Sequence, residues 1–154
     1  MMGWVDNWNT IIRNIIWPDT ELRTLMKIPP KTTILQFIDK YFIKAGFTNK
    51  LLTDEPCRII YSDIQGSETK APNVLRSMLV FDIYVKQSEL HNIGDDRLRL
   101  RTDLIADRLF KILTGQRYVA DTGYRFWIAG DWDMGTRVAG YSRKTIALKY
   151  MKVY

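Results

Sequence analysis

Eight consecutive residues, Met78 to Val85, carry apolar side chains on both faces of an extended chain, and only a covered sheet absorbs such a segment. Leu79, Phe81, Ile83 and Val85 fall on one face, and Met78, Val80, Asp82 and Tyr84 on the other. The segment is therefore predicted to be a central strand. A polar turn follows, and then a long amphipathic helix predicted from Asp95, just past Gly94, to Leu113. Asp95 can accept a bond from the free amides of the first turn, and Gly115 can adopt the positive φ of a helix stop. Leu98, Thr102, Ile105, Ala106, Leu109, Ile112 and Leu113 share one stripe at helical spacing, which the sheet is expected to receive.

At 154 residues with 46% hydrophobic and 26% charged content, the chain is of single-domain size and can bury a core without crosslinks. We read one α+β domain over 1–154, with a helical N-terminal arm over 1–30 and a core over 31–154. A single cysteine, Cys57, excludes an intrachain disulfide and a cysteine-based metal cluster, and fits a cytoplasmic folding compartment. No apolar run approaches the roughly 20 residues that span a bilayer, and no signal peptide is recognisable, so the expectation is a soluble, unprocessed chain without membrane contact.

The net charge of +6 is unevenly placed. Residues 1–56 hold 7 basic and 6 acidic side chains, residues 57–133 hold 11 of each, and residues 134–154 hold 5 basic and none acidic. The excess belongs to the last predicted strand. It reads either as a patch facing an acidic partner, DNA or a neighbouring copy, or as a solvated edge strand protected by lysines.

Along the chain, Trp4, Trp8, Ile11, Ile12 and Ile15 recur at helical intervals until Trp17-Pro18, where the residue before proline is expected to leave the helical region. A short turn using Leu22, Leu25 and Met26 precedes the rigid connector Ile28-Pro29-Pro30. Thr33-Ile-Leu-Gln36 is a capping box. Ile34, Phe37, Ile38, Tyr41, Phe42 and Ala45 then form a stripe predicted as one helix closed by Gly46. Residues 57 to 62 read as a short strand, and Ile64 to Val74 as a polar loop that orders only on assembly. Arg117 to Ala120 is a further short strand, with a turn at Asp121 to Gly123. Tyr124 to Trp132 is a strand with Tyr124, Phe126, Ile128 and Gly130 on one side and Arg125, Trp127, Ala129 and Asp131 on the other. A hairpin at Asp133 to Thr136 leads into a last strand from Arg137 to Lys152, with Gly140 marking a bulge or bend. The fold class is α+β: a mainly antiparallel sheet with helices packed on one face.

Catalytic signals are sparse. His91 is the single histidine and sits in a polar connector, and Cys57 lies inside a strand with no histidine near it in sequence. Asp131 and Asp133 at a hairpin mouth, with Asp82, form the one acidic set that a metal-dependent nuclease reading would use, against the plainer role of turn capping. Glycines are isolated, so no phosphate loop is present. A DNA-binding adaptor reading would use Arg143, Lys144, Lys149 and Lys152.

On the long helix, Arg97, Arg99, Arg101, Arg108 and Lys111 face Asp95, Asp96, Asp103 and Asp107, a near balance that predicts a surface laced by ion pairs. Leu100, Leu104 and Phe110 fall outside the apolar stripe, which predicts a second packing partner, either the N-terminal segment or another subunit.

Leu79-Val-Phe-Asp-Ile-Tyr-Val85, Arg101-Thr-Asp-Leu-Ile-Ala-Asp-Arg-Leu109, an aromatic strand ending Asp131-Trp-Asp133, and Gly140-Tyr-Ser142 opening a basic strand together resemble the small neck proteins of tailed bacteriophages. The likeness is greatest to the tail terminator, or tail completion, proteins. It spans about residues 57–154, and the helical lead-in departs from it, so head-completion, stopper and adaptor subunits of the neck stay open as alternatives. The resemblance implies a non-enzymatic virion protein assembled in the host cytoplasm, without a cofactor. It would form a hexameric ring that ends the tail tube and joins it to the head. Implied partners are further copies, the tail tube protein, the head–tail connector or stopper, and DNA passing through the lumen. Candidate interface residues are Trp4, Trp8, Leu100, Leu104, Phe110, Trp127, Trp132, Arg143, Lys144 and Lys149. The richness in tryptophan (5) and tyrosine (8) agrees with contact surfaces.

Overall fold

The strand predicted at Met78 to Val85 lies third among five. The computed structural model describes residues 4–45, 55–64, 74–90, 100–114, 124–134 and 140–153. The expectations at Gly46, His91, the Asp95 cap, Arg97, Arg99, Gly115, Arg117 to Gly123, Thr136 and the loop between Ile64 and Val74 lie outside these residues.

In chain order the elements are α1 (Trp4–Ile11), a π turn (Ile12–Ile16), α2 (Thr20–Leu25), α3 (Ile34–Lys40), β1 (Phe42–Lys44), β2 (Cys57–Ile64), β3 (Val74–Lys86), a 3-10 turn (Gln87–Glu89), α4 (Arg101–Thr114), β4 (Tyr124–Met134) and β5 (Tyr141–Val153). The sheet order is β1-β2-β3-β5-β4, with β1 parallel to β2 and every other pair antiparallel. The α+β expectation, a mainly antiparallel sheet with an N-terminal helix, describes this fold.

Leu79, Phe81, Ile83 and Val85 are all fully buried, and they pack with Ile59 of β2, Ile146 and Leu148 of β5, and residues of α1, the π turn, α2, α3 and α4. The helices therefore share one side of the sheet. Trp8, Ile11, Ile12, Ile16, Leu22, Met26 and Ile28 belong to that same core, so the N-terminal helical segment packs onto the sheet from Trp8 onward. Their burial supplies much of the apolar area that stabilises the sheet.

The helical run through α1 and the π turn stops before Pro18, but Trp17 keeps helical angles (φ −59°, ψ −44°). The chain instead widens into a π turn in which the Trp17 N–H donates to the Ile12 carbonyl at 2.8 Å. α2 stops where Lys27 takes a positive φ of 56° and the Ile28 N–H reaches back to the Arg23 carbonyl at 3.0 Å. The capping box forms: the Gln36 N–H donates to Thr33 Oγ1 at 3.3 Å and the Thr33 N–H to Gln36 Oε1 at 2.9 Å.

Three boundaries differ from the sequence reading. The helix begun by that capping box ends at Lys40, and Phe42 to Lys44 turn into β1, with Ile59 N–H donating to the Tyr41 carbonyl at 2.8 Å. Parallel pairing with β2 overrides the helical stripe there. The long helix starts at Arg101, because Leu100 is already non-helical and the Arg101 N–H donates to the Leu90 carbonyl at 2.8 Å. Gly140, with φ +82°, precedes β5 rather than bending it, and its carbonyl accepts from Gln87 N–H at 2.9 Å.

α4 rests on β3, β4 and β5 and also against α2 and the π turn. This second contact explains Phe110, which is buried in the core and needs no neighbouring subunit. Two charges of α4, Arg101 and Arg108, serve the contact with α2. Arg108 clasps Asp19 through Nε at 2.9 Å and Nη2 at 2.5 Å, and Asp19 also caps α2 by accepting from Leu22 N–H at 2.9 Å. Glu21 adds a contact to Arg108 at 3.0 Å.

The Arg108 guanidinium, helped by the Leu22 amide, holds the Asp19 carboxyl below the usual carboxylate range although burial pushes the other way. A lowered folded-state value means the stabilisation is complete above about pH 4, the ordinary aspartate range, and is lost as pH falls through the lowered value. Asp19→Ala is thus expected to cost about 1–2 kcal/mol at pH 7, the scale of a cap plus a partly exposed pair. In urea titrations the gap from the parent should shrink once the pH drops below about 4. A gap that stayed constant down to about pH 2 would contradict the assignment.

Candidate functional site

The side of the sheet opposite the helices is formed by Ile60 and Ser62 of β2, Met78, Val80, Asp82 and Tyr84 of β3, and Arg143, Thr145, Ala147 and Lys149 of β5, as the strand registers require. Tyr84, Tyr141 and Ile60 make a small cluster at one end, where the Tyr141 hydroxyl donates to the Glu55 carbonyl at 3.0 Å. Next to them the Thr145 hydroxyl donates to Asp82 at 2.5 Å.

Among the described strands β4 is outermost, and a bulge decides what it displays. Tyr124, Phe126 and Ile128 pair with Lys152, Tyr150 and Leu148, and the register then shifts so that Gly130 meets Ala147. Ala129 is the extra residue, and alternation inverts after it. Trp127 lies opposite Lys149, and Trp132 opposite Thr145, so both indoles emerge on the helix-free side. Strict alternation over residues 127 to 132 would have sent them to opposite sides. Gly130 and Asp131 accordingly exchange the sides assigned to them from sequence. The indole of Trp132 lies across Gly130, where a β-carbon would come within 3.1 Å of the ring. The Arg125 guanidinium sits 5.1 Å from the centre of the Trp127 ring.

Among the described residues, the large apolar side chains left exposed are Leu35 (67%), Ile38 (40%), Trp127 (38%), Ile128 (58%) and Trp132 (50%). Three stand on β4 and two on α3. Trp127 and Trp132 were expected from sequence. Ile38 is predicted on an apolar stripe that packs, Ile128 is placed with Tyr124 and Phe126 on one side of its strand, and Leu35 has no assignment from sequence. Leu35 and Ile38 are one turn apart on α3, facing away from the buried Phe37.

Several predicted interface residues fall elsewhere. Trp8 is buried, its ring 5.4 Å from Tyr61 and 6.3 Å from Phe42, because α1 lies on the sheet. Phe110 is in the core, and Leu100 and Leu104 are half-buried around the start of α4. Trp4 opens α1, but its side chain is outside those described. Lys144 is a further correction. It is buried on the helix side, bonded to Asp103 of α4 at 2.7 Å and 3.6 Å from Asp131 of β4, so it ties the helix to the sheet. Lys149 is exposed and Arg143 half-buried on the helix-free side. Among the described residues the basic side chains of the last strand therefore do not make one patch. Nor is β5 a lysine-protected edge, since it runs between β3 and β4.

The acidic set separates in the same way. Asp82 binds Thr145 on the helix-free side, while Asp131 approaches Lys144 on the helix side. Cys57 is buried in β2, its Sγ 3.9 Å from the Leu25 carbonyl, and burial pushes its thiol up to about 12, so it stays protonated at neutral pH. These groups hold the fold together. The exposed part of the surface combines indoles, Ile128 and flanking cations, which suits burial against another macromolecule. No protein-family model and no curated protein matches this chain.

Proposed function

We propose that this chain is a structural subunit of a tailed-phage neck, of the tail terminator kind. In this reading copies assemble in the host cytoplasm into a ring, hexameric by resemblance, that closes the tail tube and joins it to the head. Head-completion, stopper and adaptor subunits are the neighbouring alternatives. The motifs resembling neck proteins over 57–154 support it, as does the α+β frame. The observation that carries it is the pair of half-exposed tryptophans, Trp127 and Trp132, brought to one side of an outermost strand by the Ala129 bulge. A surface of this kind is stabilised by being covered, and closed rings cover it without leaving a free copy of the patch.

The test is the particle mass of the purified protein, alone and after incubation with purified tail tubes. The expected result is a discrete multiple of the 18.1 kDa subunit, and rings at tube ends in micrographs. A protein that ignores tube ends at every concentration overturns the terminator reading. Trp127→Ser with Trp132→Ser should reduce tube-end occupancy at least tenfold while leaving the far-ultraviolet circular dichroism unchanged.

A further inference from the structure

The helix-free side of the sheet carries essentially one sign of charge. Arg125 of β4 and Lys149 of β5 are exposed on it, and Arg143 of β5 is half-buried there. Among the described strand residues its one carboxylate is Asp82, which accepts a bond from the Thr145 hydroxyl, while Asp131 lies on the other side beside Lys144. Both half-exposed indoles stand among these cations. Lys149 is opposite Trp127 in the strand register, and the Arg125 guanidinium is 5.1 Å from the same ring, so Trp127 has two cations beside it. Trp132 reaches over Gly130, its six-membered ring filling the room that a side chain there would need. The strand partners of the two indoles, Lys149 and Thr145, are about 13 Å apart along β5, and only Ala147 and Gly130 face each other between them.

Indoles interleaved with cations fit a partner in which every unit joins an anion to a flat apolar ring. We infer that this face binds single-stranded nucleic acid, with bases stacked on Trp127 and Trp132 and phosphates against Arg125, Lys149 and Arg143. Complementary charge and stacking surface thus sit on one side of one sheet. An acidic protein surface matches the charge but has to bring separate apolar pockets in step with its carboxylates. A nucleotide strand repeats both groups in each unit. A duplex offers its phosphates and groove edges, because its bases already stack on one another. The inference goes beyond the terminator reading and does not rest on it. An assembly that buried the same indoles would compete with the strand.

The probe is a fluorescently labelled oligothymidylate of about 15 nucleotides, titrated with the full chain and read by anisotropy. The parent is expected to bind at about 50 mM salt, with its tryptophan emission quenched, and to lose most of its affinity by about 200 mM. Trp127→Ala and Trp132→Ala are each expected to weaken binding about tenfold or more while leaving the salt dependence unchanged. Arg125→Ala and Lys149→Ala are expected to lower the slope of log affinity against log salt by about 0.7 each, the single-strand value per phosphate contact. Gly130→Val removes no charge but displaces the Trp132 ring, and is expected to behave as Trp132→Ala does. Lys31→Ala, at an exposed lysine just before α3, is expected to match the parent. Every one of these positions is exposed or half-buried, so the fold persists, as circular dichroism checks. No binding at about 50 mM salt would overturn the inference. So would indole variants that bind like the parent, an equal loss with Lys31→Ala, or a duplex of the same length bound as tightly. Displacement of the oligonucleotide by polyglutamate at equal charge would also overturn it and assign the face to an acidic protein. Tube-end occupancy is scored separately, and its persistence without oligonucleotide binding would leave the terminator reading standing alone.

Discussion

Phe42→Ala is expected to cost about 4 kcal/mol, within the usual range for deleting a fully buried phenylalanine ring. Phe42 is the hub of an aromatic cluster. Its ring stacks on Phe37 at 5.6 Å and on Tyr61 at 4.9 Å, and lies 5.9 Å from Phe81 and 6.3 Å from Trp8. Those four neighbours come from α3, β2, β3 and α1, so none of them can move into the void without dragging its own element. A cavity that cannot collapse carries the larger penalty. The same substitution strips β1, only three residues long, of the side chain that pins it. Urea unfolding at pH 7 measures the loss. Phe42→Leu, which keeps most of the volume, should cost about 1–1.5 kcal/mol. Tryptophan emission should shift in the alanine variant as water nears Trp8. A loss under about 1 kcal/mol for Phe42→Ala would mean the cluster repacks, contrary to the close packing described.

Arg101→Met should be nearly as damaging, at about 3 kcal/mol. The Arg101 side chain is buried at the start of α4, where Nε donates to the Glu89 carbonyl at 2.9 Å and Nη1 to the Leu25 carbonyl at 2.6 Å. Leu25 is the last residue of α2, whose end bears partial negative charge, so the guanidinium caps one helix while beginning another. Methionine matches the stem but abandons both carbonyls in a dry place, each costing about 1–3 kcal/mol. Relief from burying a cation offsets part of this. Lysine should recover less than half, because one ammonium cannot reproduce a planar fork reaching two acceptors. Thermal and urea unfolding of the two variants at pH 7 give the comparison. Equal stability of Arg101→Lys and the parent would show that charge alone, without the fork, suffices.

Local patterns in the sequence located the elements that depend on local chemistry. The alternation from Leu79 to Val85, the Thr33–Gln36 capping box, the stripe of Thr102, Ile105, Ala106, Leu109 and Leu113, and the shared side of Tyr124 and Phe126 all stand in the structure as read. The features that escaped are those set by distant partners. Nothing near Phe42 announces a strand, because its reason is β2, some fifteen residues on. Lys144 looks like part of a basic run until α4 brings Asp103 within 2.7 Å. The Ala129 bulge is flagged only by Gly130 inside the strand, which strict alternation passed over, and it determines where Trp132, Gly130 and Asp131 face. The candidate surface was thus half legible: its tryptophans by composition, its geometry and the contribution of Ile128, Leu35 and Ile38 only from the fold.

The pairing of β3 with β5 joins thirteen residue pairs, from Val74 with Val153 to Lys86 with Tyr141. It is the seam between two hairpin-like halves, and no other strand pairing bridges them among the described residues. A polypeptide emerging from the ribosome would present β4, rich in aromatic groups, before the one strand able to shelter it had been made. Synthesis interrupted ahead of Tyr141 would leave that ribbon orphaned, and chaperone capture of such fragments is the natural consequence of placing the zipper last.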